Sequence, residues 1–263
     1  MYENKETGDF NMSRREFLKA GIVSAMGFLI EIGIPKEVRA QLEKVLAQKE
    51  FISSNFEEGI RLLEADVWEK NDEQMLLYME KWAKKGWIDV SGHSSEDDVL
   101  SIDLAPIFDD YSLTELCIAH THPAVLYKNK KFDYINKDLA ENILKNKKST
   151  MPIPPGSADI MSAIIAKNLL KEKNNTQTKL SHLLVEPSGI WKYSADIDHH
   201  GSSRLYALYE EGNIQGSLQL YDELRDWRIK FSQNLDNLSE YINEFQRWIH
   251  EKYGITLSYE AKT

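Results

Sequence analysis

Cysteine, excess positive charge and long apolar runs are all scarce in this chain of 263 residues. The one cysteine, Cys117, lies in an apolar segment, so an intrachain disulfide is impossible and the thiol is predicted to be a core group. There are 32 basic and 42 acidic residues, and the formal net charge of −10 argues against a nucleic-acid partner. Beyond residue 40, no run is long and apolar enough to predict a membrane span.

The N-terminal segment has a short basic motif followed by an apolar run. The motif is Ser13-Arg14-Arg15-Glu16-Phe17-Leu18-Lys19, and the run extends from Ala20 to Ile30. This segment resembles a twin-arginine (Tat) signal peptide over residues 1–40, with cleavage after Ala40. The resemblance implies export to the periplasm or the extracellular space, with membrane anchoring if the signal stays uncleaved. The alternative is an amphipathic helix that starts with two arginines.

Two histidines follow a short apolar segment in the middle of the chain. Residues 116–119 predict a buried strand, and His120-Thr121-His122-Pro123 comes directly after them. Because side chains alternate along a strand, His120 and His122 are expected on the same side. Pro123 ends the strand, since it cannot donate a ladder hydrogen bond. Two imidazoles placed in this way can chelate a metal, although a His-x-His pair is also compatible with a purely structural role.

A second candidate ligand stands at a predicted helix start. The sequence Pro154-Pro155-Gly156-Ser157-Ala158-Asp159 predicts a turn that leads into a helix. Ser157 is the expected N-cap, and Asp159 falls in the first turn, where the helix dipole favours a carboxylate. Two neutral imidazoles, one carboxylate and an open fourth position form the pattern of catalytic zinc. The sequence therefore predicts a Zn²⁺ site made by His120, His122 and Asp159.

At these residues the chain resembles the JAMM (MPN+, JAB) metalloprotease family. That family's motif is His-x-His-Pro followed by Ser-x-x-Asp, with a glutamate upstream. Here His120 to Pro123 match the first part, whereas Gly156 stands three residues before Asp159 and Ser157 is shifted by one. The segment 181–193 resembles the family's strand, glycine turn and strand after the metal helix. The resemblance covers roughly residues 85–195.

The resemblance implies a zinc-dependent hydrolase that cleaves a peptide or isopeptide bond in a peptide or protein substrate. Asp89 falls where the family has its glutamate, and it is the first candidate for the general base toward water. Glu96 is the second candidate, with Glu73 and Glu80 behind it. Ser157 is the candidate donor to the developing oxyanion.

The fold is predicted to be α/β, with a JAMM-like mixed sheet flanked by helices and a long C-terminal helix. The expected divisions are a helical region at 41–84, the metal-binding domain at 85–200 and a helical region at 201–263. The helix is expected to continue from Phe56 through Met75 and Trp82 by the spacing of its apolar residues. An apolar stripe in the last region is expected to pack on its own domain, with homodimerisation as the alternative. Residues from Gly254 to Tyr259 are expected to add an edge strand.

Three further points stay open at this level. The insert at 124–150 is either a lid or substrate clamp over the metal, or a variable surface loop. The chain is either an active hydrolase or an inactive scaffold of the same fold that binds partners through its C-terminal helix. A phosphoesterase or amidohydrolase barrel is disfavoured, because the chain lacks the repeated βα units of such barrels. An exported hydrolase could act on cell-wall peptides or on a secreted protein, and no residue chooses between them.

Overall fold

A computed structural model describes residues 51–81, 84–90, 105–108, 112–128, 137–149 and 151–262. The helices are α1 (Phe56–Glu69), α2 (Ala105–Phe108), α3 (Lys137–Asn146), α4 (Ser157–Glu172), α5 (His200–Glu210), α6 (Gln215–Gln233) and α7 (Leu238–Tyr253). The strands are β1 (Met75–Lys81), β2 (Lys84–Asp89), β3 (Leu113–Thr121), β4 (Lys179–Glu186), β5 (Gly189–Ala195) and β6 (Ile255–Ala261). The predicted export signal at 1–40 and the predicted strand at 99–104 lie outside the described residues.

One six-stranded sheet organises the described chain, with the strand order β2-β1-β3-β4-β5-β6. Strands β3 and β4 are parallel, and every other neighbouring pair is antiparallel. A parallel pair needs a crossover connection, and helix α4 lies in that connection. The mixed sheet flanked by helices confirms the predicted α/β class.

The two faces of the sheet bury two different clusters. On one face, Ile60, Leu63 and Val67 of α1 pack against residues that include Trp87, Cys117 and Ala119. On the other face, helices α4, α6 and α7 cover a larger cluster that includes Ile118, Leu184 and Trp191. Neighbouring residues of β3 thus belong to opposite faces, as the strand pleat requires. Cys117 is a buried free thiol, so its predicted core position is confirmed.

The prediction of a continuous helix up to residue 84 is wrong. Helix α1 ends at Glu69, and Met75–Lys81 forms strand β1 between β2 and β3. Residues 75–78 are all buried, because a central strand is covered on both faces. Such a continuous apolar run has no period, so its spacing cannot distinguish a buried strand from a helix. Trp82 lies outside the described residues.

The C-terminal region packs back on its own sheet, as predicted. The apolar stripe is divided between α6 and α7, which contribute Trp227, Phe231, Phe245 and Ile249 to the larger cluster. Gly254 ends α7 in the left-handed conformation at φ 65°, where a residue without Cβ is preferred. The chain then pairs with β5 as the edge strand β6, which confirms the predicted strand at this end.

The insert after β3 has a small core of its own. Ala124, Tyr127, Ala140 and Ile143 pack with Met151 and Ile153. The Tyr127 hydroxyl donates to the Met151 carbonyl at 3.1 Å, which joins the start of the insert to the segment before α4.

Across the described residues, no helix combines the length and the apolar character that crossing a membrane requires.

Candidate metal centre

Strand β3 carries both histidines to the sheet face that α4 covers. His120 pairs with Met75 of β1 and with Leu184 of β4, and both partners belong to the cluster under α4. The His122 amide then donates to the Val185 carbonyl at 2.9 Å, which extends the strand pairing beyond Thr121. The alternation expected from sequence therefore places both imidazoles near the start of α4.

The third member of the group comes from the first turn of α4. The N-cap of this helix is Gly156 and not Ser157, which is the first helical residue. Asp159 is the N3 residue, and its Oδ2 accepts a 2.6 Å hydrogen bond from the Gly156 amide. This is the reciprocal half of a capping box, which a carboxylate at N3 can make without any help from the N-cap side chain.

The three predicted ligands come together. His120 Nε2 is 3.3 Å from Asp159 Oδ1, and His122 Nε2 is 3.7 Å from Asp159 Oδ2. One ligand atom from each residue can be chosen so that all three atoms lie within 4.8 Å of one another. The chain thus has a buried His-His-Asp group that could bind a metal ion.

Burial and charge keep metal-binding lone pairs available in this group. Burial lowers the pKa of His122 to about 3, against the attraction of Asp159, so this imidazole is neutral at neutral pH. Burial alone would raise the pKa of Asp159, but the two histidines and the Gly156 amide bring it below its ordinary value. A neutral imidazole and an ionised carboxylate are the forms that metals bind.

Unsatisfied buried atoms fit a cation at this point. Within the described residues, both ring nitrogens of His120, Nδ1 of His122 and Oδ1 of Asp159 are buried and lack a hydrogen bond of good geometry, although His120 Nε2 and Asp159 Oδ1 face each other at 3.3 Å. Buried polar atoms nearly always have a partner, so four orphans in one group need an explanation. A divalent cation bound by the two imidazoles and the carboxylate would satisfy the ones that point at it.

The predicted general base does not face this group. Asp89 is exposed, and it lies opposite Leu76, which in turn pairs with Ala119. Leu76 and Ala119 belong to the α1 face, whereas His120 is on the α4 face. Assigning the base to Asp89 is therefore not supported by the structure. Glu96, the second candidate, lies outside the described residues.

A third-choice acid from the sequence, Glu73, lies beside the group instead. Its Oε1 is 3.9 Å from His122 Nε2, and its side chain is 16% exposed where that of His122 is 4% exposed. The position is held by the adjoining residue, because Gln74 and Thr121 exchange two hydrogen bonds of 2.9 Å. Glu73 is thus a partly exposed acid beside the buried group.

Two buried side chains behind His120 were missed at the sequence level. His182 of β4 stacks on Tyr193 of β5, with ring centroids 5.2 Å apart. Within the described residues, neither ring nitrogen of His182 nor the hydroxyl of Tyr193 makes a hydrogen bond. Burial lowers the pKa of His182 to about 3, and His120 adds to this lowering. A histidine at an alternating position of an apolar strand was the signal available, since it placed His182 on the His120 face.

A cation near the group, Arg228 of α6, was also missed. Its Nη2 donates to the Pro154 carbonyl at 3.1 Å, immediately before the start of α4. No motif marks this arginine, since it lies on a helix 74 residues further along the chain. Only the packing of α6 against α4 brings it here.

Comparisons with known proteins add no evidence on the function of this site. A scan against protein-family models found no matching family, and searches of curated proteins and of solved structures found no match either. The resemblance to the JAMM family therefore stays a prediction that depends on the short motifs. What the structure adds is a candidate metal centre made by two histidines and an aspartate.

Proposed function

We propose that this protein is a zinc-dependent hydrolase of the JAMM type that cleaves a peptide or isopeptide bond. The observation that carries the proposal is the buried group of His120, His122 and Asp159 on the α4 face. Two imidazoles and one carboxylate with an open position are the donor set of catalytic zinc. When bound, zinc supplies Lewis acidity, because it makes water a stronger acid and polarises a carbonyl.

The protein's own residues divide the remaining work. Asp159 and the two imidazoles hold the ion, and the Gly156 amide fixes the Asp159 carboxylate through Oδ2. Glu73 acts as the general base in place of Asp89, since it is the acid next to His122 on the more exposed side. It accepts a proton from water and passes it to the leaving amine. An acid held beside the reacting atoms contributes about 10²–10⁴-fold in rate.

The proposal includes export. The segment resembling a twin-arginine signal at residues 1–40 would direct the protein out of the cytoplasm, and that route carries folded proteins. A metal centre buried between β3 and α4 suits such a route, because the ion can be inserted as the fold forms. The substrate class is then a peptide or protein outside the cytoplasm.

An inactive scaffold of the same fold is the second candidate. The observation that favours it is Gly156, which has no side chain at the serine position of the family motif. In that case the metal group would be structural, and a bound partner would account for the function.

Three versions of the full-length protein test the proposal. Wild-type protein purified without chelators is expected to contain about one zinc ion per chain by elemental analysis. Glu73→Gln is expected to retain the zinc and His122→Ala to lose it. Cleavage of a proteome-derived peptide library, followed as new amino termini by mass spectrometry, is expected for the wild type alone.

The outcomes separate the two candidates. Zinc-free wild-type protein would refute the hydrolase. Stoichiometric zinc with no cleavage in the wild type would favour the scaffold, and equal cleavage by Glu73→Gln would refute the role of Glu73.

A further inference from the structure

The N-cap of α4, Gly156, has no side chain that could donate a hydrogen bond to a substrate. Gly156 stands three residues before Asp159, where the family motif has a serine. Hydrolysis at a carbonyl develops negative charge on the carbonyl oxygen, and a preorganised donor at that oxygen is usually a large part of the catalysis. A glycine has only its amide to offer, and the Gly156 amide is already bonded to Asp159.

The Arg228 guanidinium borders the space that a side chain at position 156 would take. A Cβ placed on Gly156 would lie 3.2 Å from Arg228 Nη2 and 3.5 Å from Asp159 Oδ2. The guanidinium and the ligand carboxylate therefore border the same small space. The 3.1 Å hydrogen bond from Nη2 to the Pro154 carbonyl holds the guanidinium there.

The charge of Arg228 acts on the groups around this space. It adds to the effect of burial in lowering the pKa of His122, and it opposes the effect of burial at Glu186. The arginine is only partly exposed, so water screens its charge less than at an open surface.

Glu73 and Arg228 both neighbour the buried group, and both are partly exposed. The His120 side chain is 1% exposed and that of His122 is 4% exposed, whereas Glu73 next to His122 is 16% exposed. Both histidines are thus buried, and Glu73 is the more exposed neighbour of His122. The Glu73 carboxyl lies 3.9 Å from His122 Nε2, and the charge of Arg228 also acts on His122.

We propose that Arg228 is a catalytic residue that donates hydrogen bonds to the substrate's carbonyl oxygen as it becomes an oxyanion, in the place of the missing serine; this inference rests on the proposed hydrolase. Attack by the water oxygen forms a C–O bond and moves the π pair of the C=O bond onto the carbonyl oxygen. That pair re-forms the C=O bond when the C–N bond breaks and the C–N electrons leave with the nitrogen. Glu73 accepts the water proton and returns it to the amine nitrogen as the C–N bond breaks. Arg228 takes no part in the proton transfer and contributes hydrogen bonds and positive charge.

The competing donor is Ser157, the residue that the sequence suggested for this role. It is buried at the first position of α4, one residue beyond the motif position. The two assignments make opposite predictions for single substitutions, so they can be separated.

Binding of a tetrahedral anion tests the inference without a known substrate. The full-length protein is loaded with Co²⁺, and methylphosphonate is titrated while the visible cobalt spectrum is followed. Arg228→Gln is expected to weaken methylphosphonate binding about tenfold to hundredfold, the value of a charge-assisted hydrogen bond. Arg228→Lys is expected to recover part of the loss, and Ser157→Ala is expected to bind as the wild type does.

A double variant sharpens the test. Adding Gly156→Ser to Arg228→Gln restores a donor at the motif position, and we expect it to regain a measurable part of the affinity. Equal Co²⁺ stoichiometry in all variants verifies that the metal group is intact.

Each of three results would overturn the inference while leaving the proposed function in place, and the first two concern single variants. One is wild-type affinity in Arg228→Gln, and the other is a loss of affinity in Ser157→Ala. Wild-type protein that binds Co²⁺ but not methylphosphonate would also refute the role of Arg228. Failure of the wild type to bind Co²⁺ would instead refute the metal centre itself, and the inference with it.

Discussion

Glu186 is a fully buried carboxyl at the end of β4. Burial favours its neutral form, whereas its hydrogen-bond donors favour the ionised form. Its Oε1 accepts hydrogen bonds from Trp191 Nε1 at 2.9 Å and Ser188 Oγ at 3.0 Å, and its Oε2 accepts one from the Ile153 amide at 2.6 Å. Burial raises the pKa of Glu186 to about 8, although these three donors and Arg228 act against the rise.

This residue predicts a pH dependence of stability. A carboxyl with a raised pKa binds its proton more tightly in the folded state than in the unfolded state. Its contribution to the free energy of unfolding is therefore fully present below the ordinary pKa of 4.5 and declines as pH rises toward about 8. We expect urea unfolding of metal-free protein between pH 5 and pH 8 to register this decline.

Glu186→Gln is the matched control, because a glutamine does not titrate. As pH rises, the unfolding free energy of the wild type is expected to fall relative to that of the variant. The difference is expected to level off above about pH 8. A difference that stays constant across this range would contradict the raised pKa.

At the scale of secondary structure elements, α6 and α7 bind to the sheet through an aromatic cluster. Phe245 of α7 is fully buried, with its ring centroid 5.5 Å from that of Trp227 and 5.6 Å from that of Phe231, both on α6. It also meets Trp191 of β5 at 6.0 Å between centroids. One ring thus joins two helices and a strand.

Phe245→Ala is expected to reduce the free energy of unfolding by about 3–5 kcal/mol, from lost burial and the cavity left behind. Leu235→Ala, at a position that is 37% exposed before α7, is expected to change it by less than about 0.5 kcal/mol. Denaturant unfolding of both variants measures the two effects. Equal losses at the two sites would show that the cluster does not bind α7 to the sheet.

At the scale of the whole molecule, the group of His120, His122 and Asp159 joins two parts of the fold that are distant in sequence. His120 lies near the end of β3 and His122 directly after it, Asp159 lies in the first turn of α4, and the insert lies in between. An ion that binds the folded chain and not the unfolded one stabilises the protein by mass action. The same ion that would serve catalysis is therefore expected to strengthen the contact between the sheet and α4.

Calorimetry can measure this linkage. Free zinc at about 100 times its dissociation constant is expected to add about 2.7 kcal/mol to the free energy of unfolding and to raise the melting temperature. His122→Ala is expected to show no zinc-dependent shift, whereas Asp89→Asn, on the other sheet face, is expected to shift as the wild type does. A shift in His122→Ala equal to that of the wild type would place the binding elsewhere.

Local rules in the sequence were enough to predict the His-His-Asp group and much of the fold. His120 and His122 fall on the same side because strands alternate, and Asp159 is placed by the start of its helix. These relations involve neighbours along the chain, so a single sequence contains them. The C-terminal stripe and the edge strand after Gly254 were predictable for the same reason.

Only the tertiary structure decided which other groups join the histidines. The pairing of β2, β1 and β3 turns Asp89 to the α1 face, and a strand slipped by one residue would have turned it the other way. Glu73 reaches His122 because β1 pairs with β3, and Arg228 reaches Gly156 because α6 packs beside α4. Strand register and helix packing depend on contacts between distant residues, and the spacing of neighbours along the chain does not contain them.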